Sequence, residues 1–222
     1  MLETDLPDDC ELFRPLAAVS LADPRYKHFA VFEGASRKWR PTCIGDHHAG
    51  VDALELGARV PKDVRIAFDT ARNVLLYAWF VYRFHQVAEL QALAAVELSL
   101  RRRMGLNNEG RSPTLGKLLD RALAKKLIRG DGFRQYHRIV AGETRFYELM
   151  EEMPGVGSVS TPSSPPPDTY AKIVIKFLKN QRNHLAHGSE MLYPHGAFTT
   201  MAACCDLINQ LFACSPDQAP QG

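Results

Sequence analysis

The sequence predicts an all-α protein, a helical bundle with an irregular N-terminal extension. Three observations predict it. Between Pro61 and Arg103, Ile66, Val74, Tyr77, Val81, Phe84, Val87, Ala94 and Leu98 recur at a spacing of three or four, with no proline or glycine after Pro61 until Gly105. Two later stretches, Thr114–Ile128 and Asp168–Gly188, each set one apolar face against a charged one and stop at or beside glycine. A last segment, from His195, repeats the pattern through Phe198, Met201, Cys205, Ile208, Leu211 and Phe212. Helices bearing such stripes bury them against one another. The expected division is an extension over residues 1–60, a bundle over 61–213 and a flexible tail over 214–222.

Residues 1–60 hold glycines, prolines and short apolar runs such as Phe29-Ala30-Val31-Phe32, which point to loops, short helices and a brief strand. His47-His48 beside Asp46 lacks a further ligand at a recognised spacing, so no metal site is expected. Pro61 suits a helix start, and Asp63 compensates the dipole of the first turn. The helical pattern then continues for about forty residues, enough for one long rod or two helices with a kink. Its aromatic set, Tyr77, Trp79, Phe80, Tyr82 and Phe84, wraps more than one face and needs more than one packing partner. That describes a central bundle helix or a subunit interface, with a nucleobase-stacking platform as the competing reading.

In Thr114–Ile128, Leu115, Leu118, Leu119, Ala122, Leu123 and Leu127 should face inward and the Lys/Arg set outward. Phe133–Met153 is a further helix that can break at Gly142. Pro154–Pro167, PGVGSVSTPSSPPP, reads as a mobile loop.

Composition bounds the class. A chain of 222 residues with 45% apolar and 23% charged residues is ordinary for a globular protein with a substantial core. Five cysteines with no CxxC spacing fit free thiols in a reducing cytoplasm. The acidic start MLETDLPDDCE has no signal-peptide core, and the uncharged run Asn73–Tyr82 is too short to span a bilayer. A soluble, cytoplasmic protein without membrane contact is expected. Between Arg101 and Arg138 eleven Lys/Arg face three acids, whereas residues 1–60 hold ten acids against seven bases. The basic middle can attract phosphates, with Arg101, Arg102, Arg103, Lys125 and Lys126 as the candidate contacts. The competing reading is a set of solvated helix faces.

The stretch DTYAKIVIKFLKNQRNHLAHG organises the rest. Three prolines, Pro165–Pro167, exclude helix before it, and Asp168 suits the N-cap. Tyr170, Ile173, Val174, Phe177, Leu178 and Leu185 recur at helical spacing, and Gly188 suits the left-handed stop. Just before that stop lies Arg182-Asn183-His184-Leu185-Ala186-His187.

An arginine, a polar residue, three more and a histidine at the end of an amphipathic helix resemble the signature of the HEPN superfamily. The order of long helix, basic helix, further helix, loop, motif helix and closing helix is similar to a HEPN bundle over roughly residues 61–213. The resemblance implies a metal-independent endoribonuclease, toxin-like or defence-related, or a non-catalytic HEPN-like module that binds RNA, nucleotide or a partner protein. It implies no cofactor, RNA as the substrate, and a composite cleft between two protomers of a homodimer. A neutralising partner protein is compatible with it.

The residue chemistry is consistent with that reading. RNA can be cut without a metal when a base takes the 2′-hydroxyl proton, a cation stabilises the phosphorane and a proton reaches the leaving oxygen. A histidine such as His187 can serve for proton transfer, and Arg182 can grip two phosphate oxygens. Asn183, four residues before His187, can orient the imidazole. Arg182 is five before it, about 140° away around the axis, so one chain does not readily join them. Glu97 is the expected orienting acid for Arg182, with His184 a supporting residue.

Each assignment has a competing reading. Arg182 can be a structural partner of Glu97, and His187 can simply compensate the helix C-terminus. His184 can be a core histidine, because its position falls within the apolar face. A zinc site from His184, His187 and Cys204 or Cys205 lacks the usual paired spacing, as a Cys–His hydrolase lacks a nucleophile context.

Overall fold

Prolines and glycines mark several helix limits, but the turn at residues 78–83 contains neither. The computed structural model describes residues 12–106, 113–151, 164–188 and 194–213. Among them are seven α-helices and one two-stranded sheet: α1 Ile44–Asp52, α2 Lys62–Tyr77, α3 Phe84–Arg103, α4 Leu115–Ala124, α5 Arg134–Glu151, α6 Pro167–His187 and α7 Pro194–Phe212. The sheet is an antiparallel hairpin of β1, Ala30–Glu33, and β2, Lys38–Pro41. The all-α class holds, with this hairpin as its one addition among the described residues. Residues 154–163, expected as a mobile loop, and the tail 214–222 lie outside the described residues.

The continuous helical pattern after Pro61 is neither a rod nor a kinked helix. It folds back on itself: Arg102 near the end of α3 pairs with Asp63 at the start of α2 at 2.7 Å, and Gln91 donates to the Ala67 carbonyl. The turn occupies residues 78–83, and the extension accounts for it. The Asp23 amide donates to the Trp79 carbonyl at 2.9 Å, and the Tyr26 hydroxyl to the Ala78 carbonyl at 3.3 Å. Tyr26 stacks on Trp79 with ring centroids 4.3 Å apart. Carbonyls that an unbroken helix would have bonded internally thus find partners far away in sequence. Trp79 and Tyr82 are buried there, which places these aromatics in a core and not on a base-stacking surface.

Helix α3 is the centre of the bundle. It packs against α2, α4, α6 and α7, and buries residues all round, including Ala88, Ala92, Leu93, Ala95, Val96 and Leu100. Its three buried alanines let neighbouring backbones approach closely. One strip stays open: Phe84, Val87 and Leu90 are exposed. Phe68 of α2, Leu118 and Leu119 of α4, Leu178 of α6 and Met201, Leu207 and Ile208 of α7 complete the core, which Val51, Leu54 and Val60 also join.

Three helix boundaries differ from expectation. Helix α4 stops at Ala124 and not near Ile128, because Lys126 takes φ of 54° and reverses the chain. Helix α5 runs through Gly142 without a break. Helix α6 starts two residues early: Pro166, not Asp168, is its N-cap, Pro167 its first residue, and Asp168 falls in the first turn. Proline suits that first position because its missing N–H has no partner there anyway, so Asp168 acts on the dipole instead of as the cap.

Candidate functional site

Helix α6 is fixed at both ends. At its start, a Cβ on Gly130 would collide with the Pro167 carbonyl, so only glycine allows that approach. Tyr170, Ala171, Val174, Ile175, Leu178 and Gln181 form the buried face. Gln181 donates to the buried Glu89 carboxylate of α3 at 2.8 Å. At its end Gly188 adopts φ of 66° and its amide reaches the Leu185 carbonyl, the expected left-handed stop. Ile173, expected on the core face, is 52% exposed beside an apolar groove shared with Phe177, Phe198 and Ala202. Its position lies about 100° from Val174 around the axis.

The motif occupies the C-terminal end of the helix. Arg182, Asn183, His184 and His187 are all exposed. The expectation of a core His184 is therefore wrong. It lies six residues past Leu178, about 120° off that inward direction. Arg182 and Asn183 open onto a cleft of about 480 Å³ between α3, α4 and α6, lined also by Glu97, Arg101, Thr114 and Lys179. Among the described residues, Arg182, Asn183 and His187 make no side-chain hydrogen bond or ion pair.

Glu97 shares that cleft, but its carboxylate holds Arg101 at 2.6 Å, one helical turn along α3, and not Arg182. The structural pairing of Arg182 with Glu97 is therefore absent. Lys179, one turn before Arg182 on the same face, was legible from the i, i+3 spacing and was missed. It pairs with Asp120 of α4 at 2.5 Å. The cleft thus holds three cations, of which Arg182 is uncompensated among the described residues.

The other candidate cations divide. Arg102 is tied to Asp63, whereas Arg103 is exposed without a partner among the described residues. Lys125 and Lys126 are exposed past the far end of α4, roughly 15 Å from the Thr114 end that borders the cleft. His187 does not line the cleft. One chain brings Arg182, Asn183, Glu97 and Arg101 together and leaves His187 outside.

A second histidine cluster was not foreseen. His47 and His85 are buried with ring centroids 6.0 Å apart, and both contact Phe198 of α7. His47 Nε2 donates to the Leu75 carbonyl at 2.8 Å, and His85 Nε2 shares a 2.8 Å hydrogen bond with the Tyr26 hydroxyl. Burial pushes His85 down to about 3, with neighbouring His47 adding to the shift, and burial lowers His47 as well. Neither ring carries charge near neutral pH. The only sequence signal was a histidine among the aromatics of residues 77–85.

Cys204 and Cys205 are buried free thiols; burial raises both, Cys205 to about 11. That keeps them protonated and unsuited to attack as thiolates. Among the described residues no group of three or more His, Cys, Asp or Glu is placed to hold a metal ion, and no helix is long and apolar enough to cross a membrane. The fold and cleft define a helical-bundle protein with a cationic cleft at the end of its motif helix. Comparison with protein-family models, curated proteins and solved structures finds no match.

Proposed function

We propose that this chain is a HEPN-type, metal-independent endoribonuclease of the toxin-like or defence-related kind, acting as a homodimer on RNA. The observation that carries the reading is Arg182, a guanidinium uncompensated among the described residues that opens onto a cleft already holding Arg101 and Lys179. A phosphodiester entering there would meet a two-point donor, and the developing phosphorane charge would strengthen that contact. Asn183 would help to hold the sugar-phosphate, and Glu97 would position Arg101.

His187, exposed but outside the cleft, would serve the site of a second copy. The exposed strip Phe84, Val87 and Leu90 on α3 supports such a contact, because at helical spacing it continues through Ala94 toward Glu97 and Arg101. A two-fold contact along this strip would bring the histidine end of one α6 toward the arginine cleft of the other. The second reading is a non-catalytic RNA-binding module, and the separation of His187 from the cleft favours it.

One experiment separates them. Purified protein in EDTA should cut RNA to products ending in a 2′,3′-cyclic phosphate, because an internal 2′-oxygen attacks. A substrate with a 2′-deoxy sugar at the cut position should resist, and light scattering should give twice the chain mass. Cutting of the deoxy substrate at the normal rate rules out the mechanism. Binding without any cutting supports the module.

A further inference from the structure

The β1–β2 hairpin presents an aromatic pair that the fold does not use. Phe32 and Trp39 are direct cross-strand partners, with ring centroids 5.4 Å apart. They remain 50% and 71% exposed. Two large rings left in water bring the fold little burial energy and leave their outer faces open.

The surroundings are cationic. Over residues 27–40 the chain has Lys27, Arg37, Lys38 and Arg40 against Glu33 alone, four positive charges less one negative, a net +3. The side chains of Lys27, Arg37 and Lys38 are exposed and make no hydrogen bond or ion pair among the described residues. Arg40 acts differently, gripping both carboxylate oxygens of Asp46 at 2.6 Å and so mounting the hairpin on α1. That guanidinium, with the Cys43 amide, holds the Asp46 carboxyl well below the usual range, so the mount persists across ordinary pH. The Thr42 amide adds a bond to the Phe29 carbonyl at 3.0 Å. The rings therefore stand on a fixed base.

We propose that this hairpin is a stacking platform for single-stranded nucleic acid. A base would lie on the open face of Trp39, and Lys27, Arg37 and Lys38 would meet the flanking phosphates. Base-on-ring stacking accepts any sequence, and loose cations beside the ring supply the attraction for the backbone. Two of its three loose cations, Lys27 and Lys38, are lysines, a residue depleted at protein–protein interfaces but suited to phosphates. No residue of the Arg182 cleft takes part, so the platform stands or fails independently of the cleavage reading.

The test uses the full chain with a fluorescein-labelled short oligo(dT), which lacks the 2′-hydroxyl and stays intact whatever the cleft does. Anisotropy should report binding by the wild type. Trp39→Ala should weaken it by about tenfold, given stacking worth about 1–3 kcal/mol per base, while Trp39→Phe keeps most of the affinity. Tryptophan emission should be quenched on binding in the wild type and not in Trp39→Ala, since the chain's other tryptophan, Trp79, is buried. Because Trp39 is exposed, neither variant endangers folding. Undetectable oligo(dT) binding by the wild type, or undiminished binding by Trp39→Ala, overturns the proposal. So does a blue shift of Trp39 emission with phosphatidylserine vesicles but no response to oligo(dT).

Discussion

Two regions of this molecule carry paired histidines, and their surroundings differ completely. His47 and His85 lie buried among Tyr26, Trp79, Tyr82 and Phe198, with their ring nitrogens bonded to the Leu75 carbonyl and the Tyr26 hydroxyl. His184 and His187 stand exposed at the end of α6. The first pair joins the N-terminal segment to the turn between α2 and α3, and burial suppresses its charge. The second pair takes no part in the packed core. The same residue type supports the fold in one place and faces solvent in the other, and burial tells them apart.

The largest expected effect sharpens this contrast from the scaffold side. Leu178 is fully buried on the inner face of α6, one turn before the motif. Leu178→Ala should lower the unfolding free energy by about 2–5 kcal/mol in a urea titration. Under conditions where the variant stays folded, its RNA cleavage rate should match wild type. A lost rate at full stability would mean that scaffold and site are not separable.

A smaller effect comes from pH and tests the buried pair alone. His85 has its proton affinity depressed in the folded state, so below about pH 6.5 the unfolded chain binds a proton that the folded one refuses. Stability is therefore complete above that pH and falls as the pH drops toward 3. Between about pH 7 and pH 5 the loss should be roughly 2 kcal/mol from His85, with a further loss from His47. Urea midpoints at the two pH values check it, and a His85→Gln variant should lose less over the same interval. A flat profile would mean that the cluster opens to water in solution.

The helical class was legible because periodicity is local: Leu118, Leu178 and Ile208 all lie on stripes that the sequence displays. The stripe running from Ile66 to Leu98 is an outer one instead, with Ile66, Tyr77, Phe84, Val87 and Ala94 exposed. The turn at residues 78–83 was not legible, because no breaker marks it. Tyr26 and Asp23, more than fifty residues away, supply the hydrogen bonds that make it. The left-handed stop at Gly188 follows from glycine chemistry, whereas spacing sets Arg182 only about 40° from buried Leu178 and does not by itself predict its exposure. The partner of Glu97 did not follow, since two cations, Arg101 and Arg182, compete for one acid and only the packing decides. His184 was misplaced because the stripe drifts as it ascends α6, passing through Gln181, which looks polar in sequence but is buried against Glu89.

The central claim is that the exposed end of α6 serves chemistry and not folding, and His187→Ala tests it most directly. Cleavage rate in EDTA and unfolding free energy should be measured on the same preparation. The rate should fall by about 10²–10⁴, while the unfolding free energy stays within about 0.5 kcal/mol of wild type. An unchanged cleavage rate in a fully folded variant would contradict the account.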